Sequence, residues 1–501
     1  MEFKQAIWNE PLLIELGKEG RCGYSLPKIH DDVESVVELI PEKLRRSNIP
    51  LPSLSEPQVI RHFTRLSQMN YGVDLGMYPL GSCTMKYNPK ISERIASNPN
   101  LTRLHPYQPI ETVQGILEIL YNLSKMLAEI TGTAKVTLIP AAGAHGEFVG
   151  CLIMRAYIKD KGELKIRNEV LIPESAHGTN PASAVMAGFK VVKIPTDKEG
   201  LVDVNAVKAV VSNRTAGMML TVPNTLGLFE RNIEEISKIV HEAGGLMYYD
   251  GANMNALLGR VRPGDMGFDI VHINLHKTFA TPHGGGGPGS GPVGVSKELI
   301  EFLPIPLVDY DGKKYFLNYN VPKTIGRIKS FYGNISVLIK AYVYILMMGV
   351  NGLREISNQA VLASNYLLSK LNSIYELPYS KNIPRKHEFV VSAKPIQMKT
   401  GVRTIDIAKS ILDSSFHAPT IYFPLIVDEA LMIEPTETEP MENLDEYAKV
   451  LNEIALQVKE DPQKILNAPI NTSIKRLDEV KASHPLTMKL NWRGLNNHSK
   501  V

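Results

Sequence analysis

Six short runs of apolar and β-branched residues recur between residues 135 and 275, and they constrain the fold more than any other feature of the chain. They are Lys135–Ile139, Glu169–Ile172, Lys190–Ile194, Met218–Val222, Leu246–Tyr249 and Ile270–Leu275. Stretches with helical spacing lie between them, among them Asn205–Val211 and Ile233–Ala243. Strands that alternate with helices are joined by crossovers, and crossovers make neighbouring strands parallel. The expected fold is therefore α/β with a mostly parallel sheet. In such a sheet ligands bind beyond the carboxyl ends of the strands, so the chemistry is sought in the turn after each run.

At 501 residues the chain exceeds what one hydrophobic core usually fills. Residues 1–110 are rich in proline and polar turns, with short helical patches such as Asp32–Ile40, and read as an extended N-terminal arm. Residues 111–345 read as the large domain. It opens with a helix over Glu111–Ile130 that Gly132 can end in the left-handed conformation, and closes with strand Pro292–Val295 and the apolar helix Asn334–Met348. Residues 346–460 change to a smaller α+β domain, with a helix to about Ile374, strands at Glu388–Ser392 and Leu431–Glu434, and helices at Asp406–Leu412 and Leu444–Val458. Residues 461–501 form a polar tail.

Composition removes several classes of function. A net charge of +3, with no basic run interleaved with aromatics, gives no footprint for nucleic acid. Three scattered cysteines, Cys22, Cys83 and Cys151, suggest neither a disulfide framework nor a cysteine zinc site. The apolar run Ile335–Val350 contains Lys340 and is shorter than the roughly 20 residues a bilayer span needs. The N-terminal residues show no signal or transit pattern. The expectation is a cytoplasmic enzyme with no membrane role.

The turns supply candidates. Lys277 follows the Ile270–Leu275 run, and an amine left at the end of a buried strand loses charge more easily, which suits Schiff-base chemistry. Ala141–Ala144, after the first run, are small enough to bring backbone N–H groups to an anion at the start of the next helix, or simply to pack that turn closely. His177 follows the second run, either as a hydrogen-bonding residue or as a ring that lies on a cofactor. Asn224 and Thr225 follow the fourth and are placed to donate to a phenolic oxygen or to shape a turn. Asp250 follows the fifth, as a turn cap or as the partner of a protonated ring nitrogen. Seven glycines lie between Gly284 and Gly294. They include a G-x-G-x-x-G match at Gly284, Gly286 and Gly289, but it does not open the first helix of a βαβ unit. The tract reads as a close-approach, lid or subunit-contact loop. His272, His276 and His283 lack a nearby carboxylate or cysteine in sequence, so no metal is expected.

A small-residue turn, a histidine, Asn/Thr, Asp and Lys on successive strand ends is the order of a fold-type-I pyridoxal phosphate site. The segments PLGSCTMK, PAAGAHGE, SAHGTNPASA, YYDGAN, NLHKTFATPHGGGGPGSGPVGV and HAPTIYFPLIVDEALMIEPTETE resemble the glycine-cleavage P-protein family over about Tyr71 to Tyr447. The resemblance is to its C-terminal half, which in split systems is a separate subunit 2. It implies a fold-type-I transferase-like large domain, pyridoxal 5'-phosphate on Lys277, and glycine as substrate. Asp250 would keep the ring nitrogen protonated and His177 would stack on the ring. Ala142, Gly143, Ala144 and His145 would cradle the phosphate, and Thr225 would touch the phenolic oxygen. Asn253 and His276 complete the cofactor set. Ser82, Cys83 and Thr84 read as an active-site loop near the substrate, without assigned roles, as does His417. The implied partners are subunit 1, in an α2β2 heterotetramer, and the lipoylated H-protein that receives the aminomethyl group. The alternatives are another fold-type-I enzyme, a cysteine desulfurase or amino-acid decarboxylase, and a non-catalytic scaffold subunit.

Overall fold

The computed structural model describes residues 4–23, 27, 38–45, 51–284, 287–371, 374–379 and 381–488. The expected helical patch at Asp32–Ile40 falls largely outside these residues, as do Gly285, Gly286 and the end of the tail.

Among the described residues the main sheet has seven strands. They are β1 (Lys135–Thr137), β2 (Glu169–Pro173), β3 (Lys190–Ile194), β4 (Thr215–Thr221), β5 (Leu246–Asp250), β6 (Ile270–His272) and β7 (Val293–Val295). Their order is β1-β7-β6-β5-β4-β2-β3. From β3 to β6 the neighbours run parallel, and β7 returns antiparallel between β6 and β1. β4 and β5 are buried along their whole length, as strands covered on both faces must be. β3 is an edge, and it carries the exposed lysines Lys190 and Lys193 that discourage further pairing.

Helices enclose this sheet. Gln114–Thr131 buries Leu117, Leu120, Leu123 and Leu127, spaced three and four apart on one stripe, and Gly132 ends it at φ 71°. A second helix, Gly143–Asp160, begins directly after β1, and a third, Thr179–Met186, follows β2. Neither follows from apolar periodicity alone, because small residues let both lie close to the sheet. The apolar helix near Asn334 continues further than expected, as Ile335–Lys370, and is broken at Gly349 (φ 59°, ψ −176°). Its length and apolar composition match those of a membrane-crossing helix. The part before the break, however, is only about 21 Å long at 1.5 Å per residue, against a hydrocarbon core of about 30 Å. Its residues Val337, Leu338, Ala341 and Tyr344 belong to the core beneath the sheet.

The smaller sheet has strands β10 (Phe389–Ser392), β11 (Thr420–Ile421) and β12 (Ala430–Ile433), after the hairpin of β8 (Leu307–Tyr310) and β9 (Tyr315–Asn318). Leu80 bridges to Ile433, so the Ser82–Thr84 segment runs beside β12.

Two compact units divide the chain: residues 73–411 with 416–466, which contain both sheets, and residues 1–72 with 412–415 and 467–501. Within the latter, helix Glu56–Met69 is longer than the short patches expected of this region. Ser55 and Gln58 form its capping box, and Pro57 fits the first turn, where no amide hydrogen is needed. The Glu10 carboxylate accepts from His62 Nδ1 at 2.8 Å and from Arg65 Nη1 at 3.0 Å.

Candidate active site

The ends of β5 and β6 bring the central pair together. Asp250 closes β5 and is 2 % exposed. Its Oδ1 accepts the Ala252 amide at 3.0 Å, so it does cap the following turn. Its Oδ2 accepts Asn180 Nδ2 at 3.0 Å and the Thr221 hydroxyl at 3.3 Å. Burial works against its charge, but His272, Lys277 and these donors outweigh it and hold the carboxyl below its ordinary value. A buried carboxylate kept ionised in this way fits a cationic ring nitrogen.

Lys277 stands in the turn after β6 rather than on the strand, because β6 ends at His272. It is half-buried, not enclosed as expected for a lysine on a buried strand. Its Nζ donates to the Ser82 carbonyl at 2.8 Å. That contact ties the strand-end lysine to the Ser82–Thr84 segment.

Beside it, Ala142 is extended (φ −162°) and caps helix Gly143–Asp160. The amides of Gly143, Ala144 and His145 precede the first intrahelical bond, Gly146 N to Ala142 O at 2.9 Å, and are available to an anion. A Cβ on Gly143 would fall 2.3 Å from Asn274 Nδ2, so a larger residue here must displace that side chain. His145 turns back instead: its Nδ1 accepts the Ala141 amide at 3.1 Å, and burial followed by the charge of Lys329 lowers its pKa. Lys329, a cation near the cradle, carries no sequence signal because it lies in a loop outside the strand ends.

His177 is exposed, with one edge against Phe423 at 5.4 Å between centroids. Its Nδ1 lies 2.9 Å from the Thr179 hydroxyl, whose oxygen lies 2.9 Å from Glu147 Oε1. The Thr225 hydroxyl donates to the Ser175 carbonyl at 2.5 Å, in the turn after β2. Asn224 likewise holds its own turn, accepting the Leu226 and Leu228 amides at 3.0 and 3.1 Å. Asn253 Nδ2 donates to the Pro223 carbonyl at 3.0 Å and to Glu388 Oε1 at 2.9 Å. His276 Nδ1 accepts the Ser290 amide at 3.3 Å, and burial, then its neighbours His283 and Lys277, lower its pKa to about 3.

Sequence reasoning missed the acids. Glu388 Oε2 accepts the Ser82 amide at 2.8 Å. Glu434 accepts the Thr84 amide at 2.9 Å and the Thr84 hydroxyl at 2.6 Å. Burial pushes both carboxyls up, that of Glu434 to about 7. HEF and IEP hold no spacing that signals a pair, since the two come together only across β10 and β12. Lys86 is buried too, donating to Asn255 Oδ1, the Thr278 carbonyl and Glu437 Oε1 at 2.8, 3.0 and 2.6 Å. His417 stacks on Tyr78 at 3.8 Å.

The expectation that His272 has no carboxylate near it is corrected. β5 and β6 are neighbours, so donor atoms of His272, Asp250 and Glu147 lie within 4.8 Å of one another. His272 Nε2 is already engaged by Asn274 Oδ1 at 2.8 Å, and its Nδ1 by the Tyr248 hydroxyl at 2.7 Å. A second group, His387 with Glu388 and Glu434, is equally close, and its carboxylates hold the Ser82–Thr84 segment.

Taken together, an amine, an ionised buried carboxylate, an open helix start and an exposed imidazole fit a phosphorylated pyridine aldehyde. The family described as "Glycine cleavage system P-protein" matches residues 28–319, and "Glycine dehydrogenase, C-terminal domain" matches 356–476. A protein of Pyrococcus abyssi named probable glycine dehydrogenase (decarboxylating) subunit 2 is 59% identical over 486 residues, 96% of each chain. One of the same name from Thermococcus onnurineus is 58% identical over 505 residues, covering 100% of this chain and 99% of that one. Among solved structures, an inhibitor-bound glycine decarboxylase P-protein superposes with TM-score 0.70 at 21% identity, over 84% of this chain and 94% of that one. A cysteine desulfurase of Thermococcus onnurineus superposes with TM-score 0.61 at 15% identity, over 78% and 98%. These two likenesses establish the fold-type-I architecture.

Proposed function

We propose, for a chain that belongs to the glycine cleavage system P-protein family, that it is the cofactor-bearing subunit of glycine dehydrogenase (decarboxylating) and acts on glycine through pyridoxal phosphate held at Lys277. Its partners in this reading are subunit 1, in an α2β2 heterotetramer, and the lipoyl group of the H-protein. The observation that carries it is the convergence of Lys277 Nζ and the ionised Asp250 carboxylate at adjacent strand ends, with the open Gly143 cradle next to them.

The reaction balances without an outside oxidant. The Cα–carboxyl bond of glycine breaks and CO2 leaves. The electron pair forms a new carbon–sulfur bond as the lipoyl S–S bond breaks, and the second sulfur takes a proton. Pyridoxal phosphate supplies the electron sink for that pair when bound. The protein's part is placement and charge. Asp250 holds a proton on the ring nitrogen by presenting a full negative charge there. The Gly143, Ala144 and His145 amides anchor the phosphate at the positive end of a helix. His177 covers one face of the ring. Lys277, whose Nζ donates to the Ser82 carbonyl, would give up that bond on holding the cofactor.

The deciding experiment is glycine–bicarbonate carbon exchange with subunit 1 and lipoylated H-protein, each omitted in turn. Exchange should require all components, and borohydride should fix the cofactor to Lys277. Turnover of another amino acid without a lipoyl partner would favour a different fold-type-I enzyme. A colourless protein with no reducible imine would favour a scaffold.

A further inference from the structure

Glu147 has no place in the scheme above, yet it is 5 % exposed and reaches His177 through one hydroxyl. The contacts around His177 Nδ1 point to its state. The Thr179 amide points its hydrogen at His177 Nδ1 across 3.3 Å. A ring nitrogen that accepts an amide hydrogen carries none of its own. The 2.9 Å contact from Nδ1 to the Thr179 hydroxyl therefore uses the single hydroxyl hydrogen. With that hydrogen used, the Thr179 oxygen has only lone pairs to offer Glu147 Oε1, also at 2.9 Å; an ionised Glu147 would accept from Thr179 across this contact, and a neutral one donates to it.

A second observation agrees. Glu147 and Asp250 oxygens lie within 4.8 Å of each other in a buried site. Asp250 has three donors, whereas Glu147 Oε2 has no hydrogen-bond partner. Only one of two such carboxyls carries charge readily, and the one supplied with donors is Asp250. Burial, followed by the Asp250 charge, pushes the Glu147 carboxyl up to about 8, outweighing Thr179, Lys277 and Ser183, which favour its charged form.

We propose that Glu147 is a neutral carboxylic acid that donates to Thr179 and, through that hydroxyl, fixes His177 as the neutral ring with its hydrogen on Nε2. It is a positioning residue. The inference rests on the pyridoxal phosphate reading, in which a neutral imidazole avoids setting a second positive charge against a protonated ring. Above its pKa the chain of hydrogens must reverse: ionised Glu147 accepts from Thr179, and His177 Nδ1 becomes the donor. The groups facing Glu147 are Asp250 and Tyr248 from β5, His272 from β6, Lys277 from the turn, Cys151 from its own helix, and Thr179 and Ser183 from the next helix. None of them supplies a cation that pairs directly with its carboxyl.

The test is the histidine tautomer in the full-length chain without cofactor, read from nitrogen chemical shifts of protein labelled with 15N-histidine. Loss of signals in His177→Asn identifies the ring. At pH 7 Nδ1 should be bare and Nε2 protonated. Between pH 7 and 9 the wild type should shift toward the Nδ1–H form, and Glu147→Gln, whose amide replaces the acid as donor, should not. Thr179→Val should leave a mixture of tautomers at pH 7. A protonated Nδ1 in the wild type at pH 7, or identical titrations in wild type and Glu147→Gln, overturns the proposal, and the wild-type series decides even if a variant fails to fold. A separate absorbance titration with pyridoxal phosphate distinguishes failure of the parent reading, since a chain that binds none still reports its tautomer.

Discussion

The Lys277 ammonium donates across 2.8 Å to the carbonyl of Ser82, a residue held in the left-handed region at φ 64°. Thr84 is left-handed too, at φ 44°, so Cys83 sits between two strained non-glycine residues. Each such residue costs on the order of 1–2 kcal/mol, and the amides that Glu388 and Glu434 accept offset it. Burial raises the Cys83 thiol pKa first; Lys277 lowers it, and the two glutamates raise it further.

Glu434→Gln should therefore loosen the loop and lower the thiol pKa together. Iodoacetamide should modify Cys83 about threefold faster or more, since the thiolate is the reactive form. Exposed Cys22 and buried Cys151 serve as references for reagent and for global opening. Peptide mapping of the three rates checks this, and an unchanged Cys83 rate would take the carboxylate out of the loop's support.

Those acids also mark what the sequence could not display. The six strand runs were legible because each is a continuous apolar stretch between turns, and the structure places strands at all six, with β1 and β6 shorter than expected. The strand-end residues Asp250 and Lys277 were legible because topology sends them to one side of the sheet. Glu147, Glu388 and Glu434 were not, since their meaning lies in burial and in contacts distant in sequence: Asp250 for Glu147, Ser82 for Glu388 and Thr84 for Glu434.

Stability should depend on pH through the same groups. Glu147 and Glu434 have folded values of about 8 and about 7, above the glutamate value of about 4.3 in an unfolded chain. Their contribution is complete below about pH 4 and is lost as pH rises through 7 to 8. Buried His276, His283 and His387, lowered to about 3, 4 and 3 chiefly by burial, act in the other direction. Theirs is complete above about pH 6.5 and is lost as pH falls through 4 to 3. Between pH 6.5 and 8.5 only the carboxyls of this group titrate, so Glu434→Gln should shrink the fall in Tm across that interval by about 1–3 °C. Calorimetry at the two pH values measures it, and equal falls would mean Glu434 does not ionise there.

Lys86 and Glu437 form a buried ion pair at 2.6 Å, which also draws in Asn255. Lys86→Met leaves the Glu437 charge buried without its partner and should cost about 3–5 kcal/mol. The double variant with Glu437→Leu should regain more than half, because both polar ends are then removed together. Urea denaturation of the four proteins tests this, and simple additivity would show that the two residues do not act as a pair.

Asp250→Asn keeps the size of the side chain and its cap on Ala252 but removes the charge. Glycine decarboxylation should fall by about 100-fold or more, as expected when charge stabilisation at the reacting group is lost. The Glu147 carboxyl should also titrate at lower pH, since the Asp250 charge is one of the two causes that raise it. Infrared detection of the neutral carboxyl band follows that change without cofactor. A Glu147 midpoint that does not move would mean the two carboxyls are uncoupled.

The glycine tract can be tested at Gly291, which touches the cradle. Gly291 donates its amide to the Pro140 carbonyl at 2.9 Å, and a Cβ there would fall 2.0 Å from the carbonyl oxygen of Ala142. That oxygen is the first acceptor of helix Gly143–Asp160, so backbone must move, and the amides aimed at an anion move with it. Gly291→Ala should weaken pyridoxal phosphate binding by about tenfold or more, the equivalent of about 1.4 kcal/mol. Gly115→Ala, in helix Gln114–Thr131 with open space at its Cβ, should bind normally and be slightly stabilised. Equal affinities in the two variants would detach the tract from the cradle. Weaker binding in Gly291→Ala alone would identify the group these glycines approach as the turn at Ala142, rather than a nucleotide.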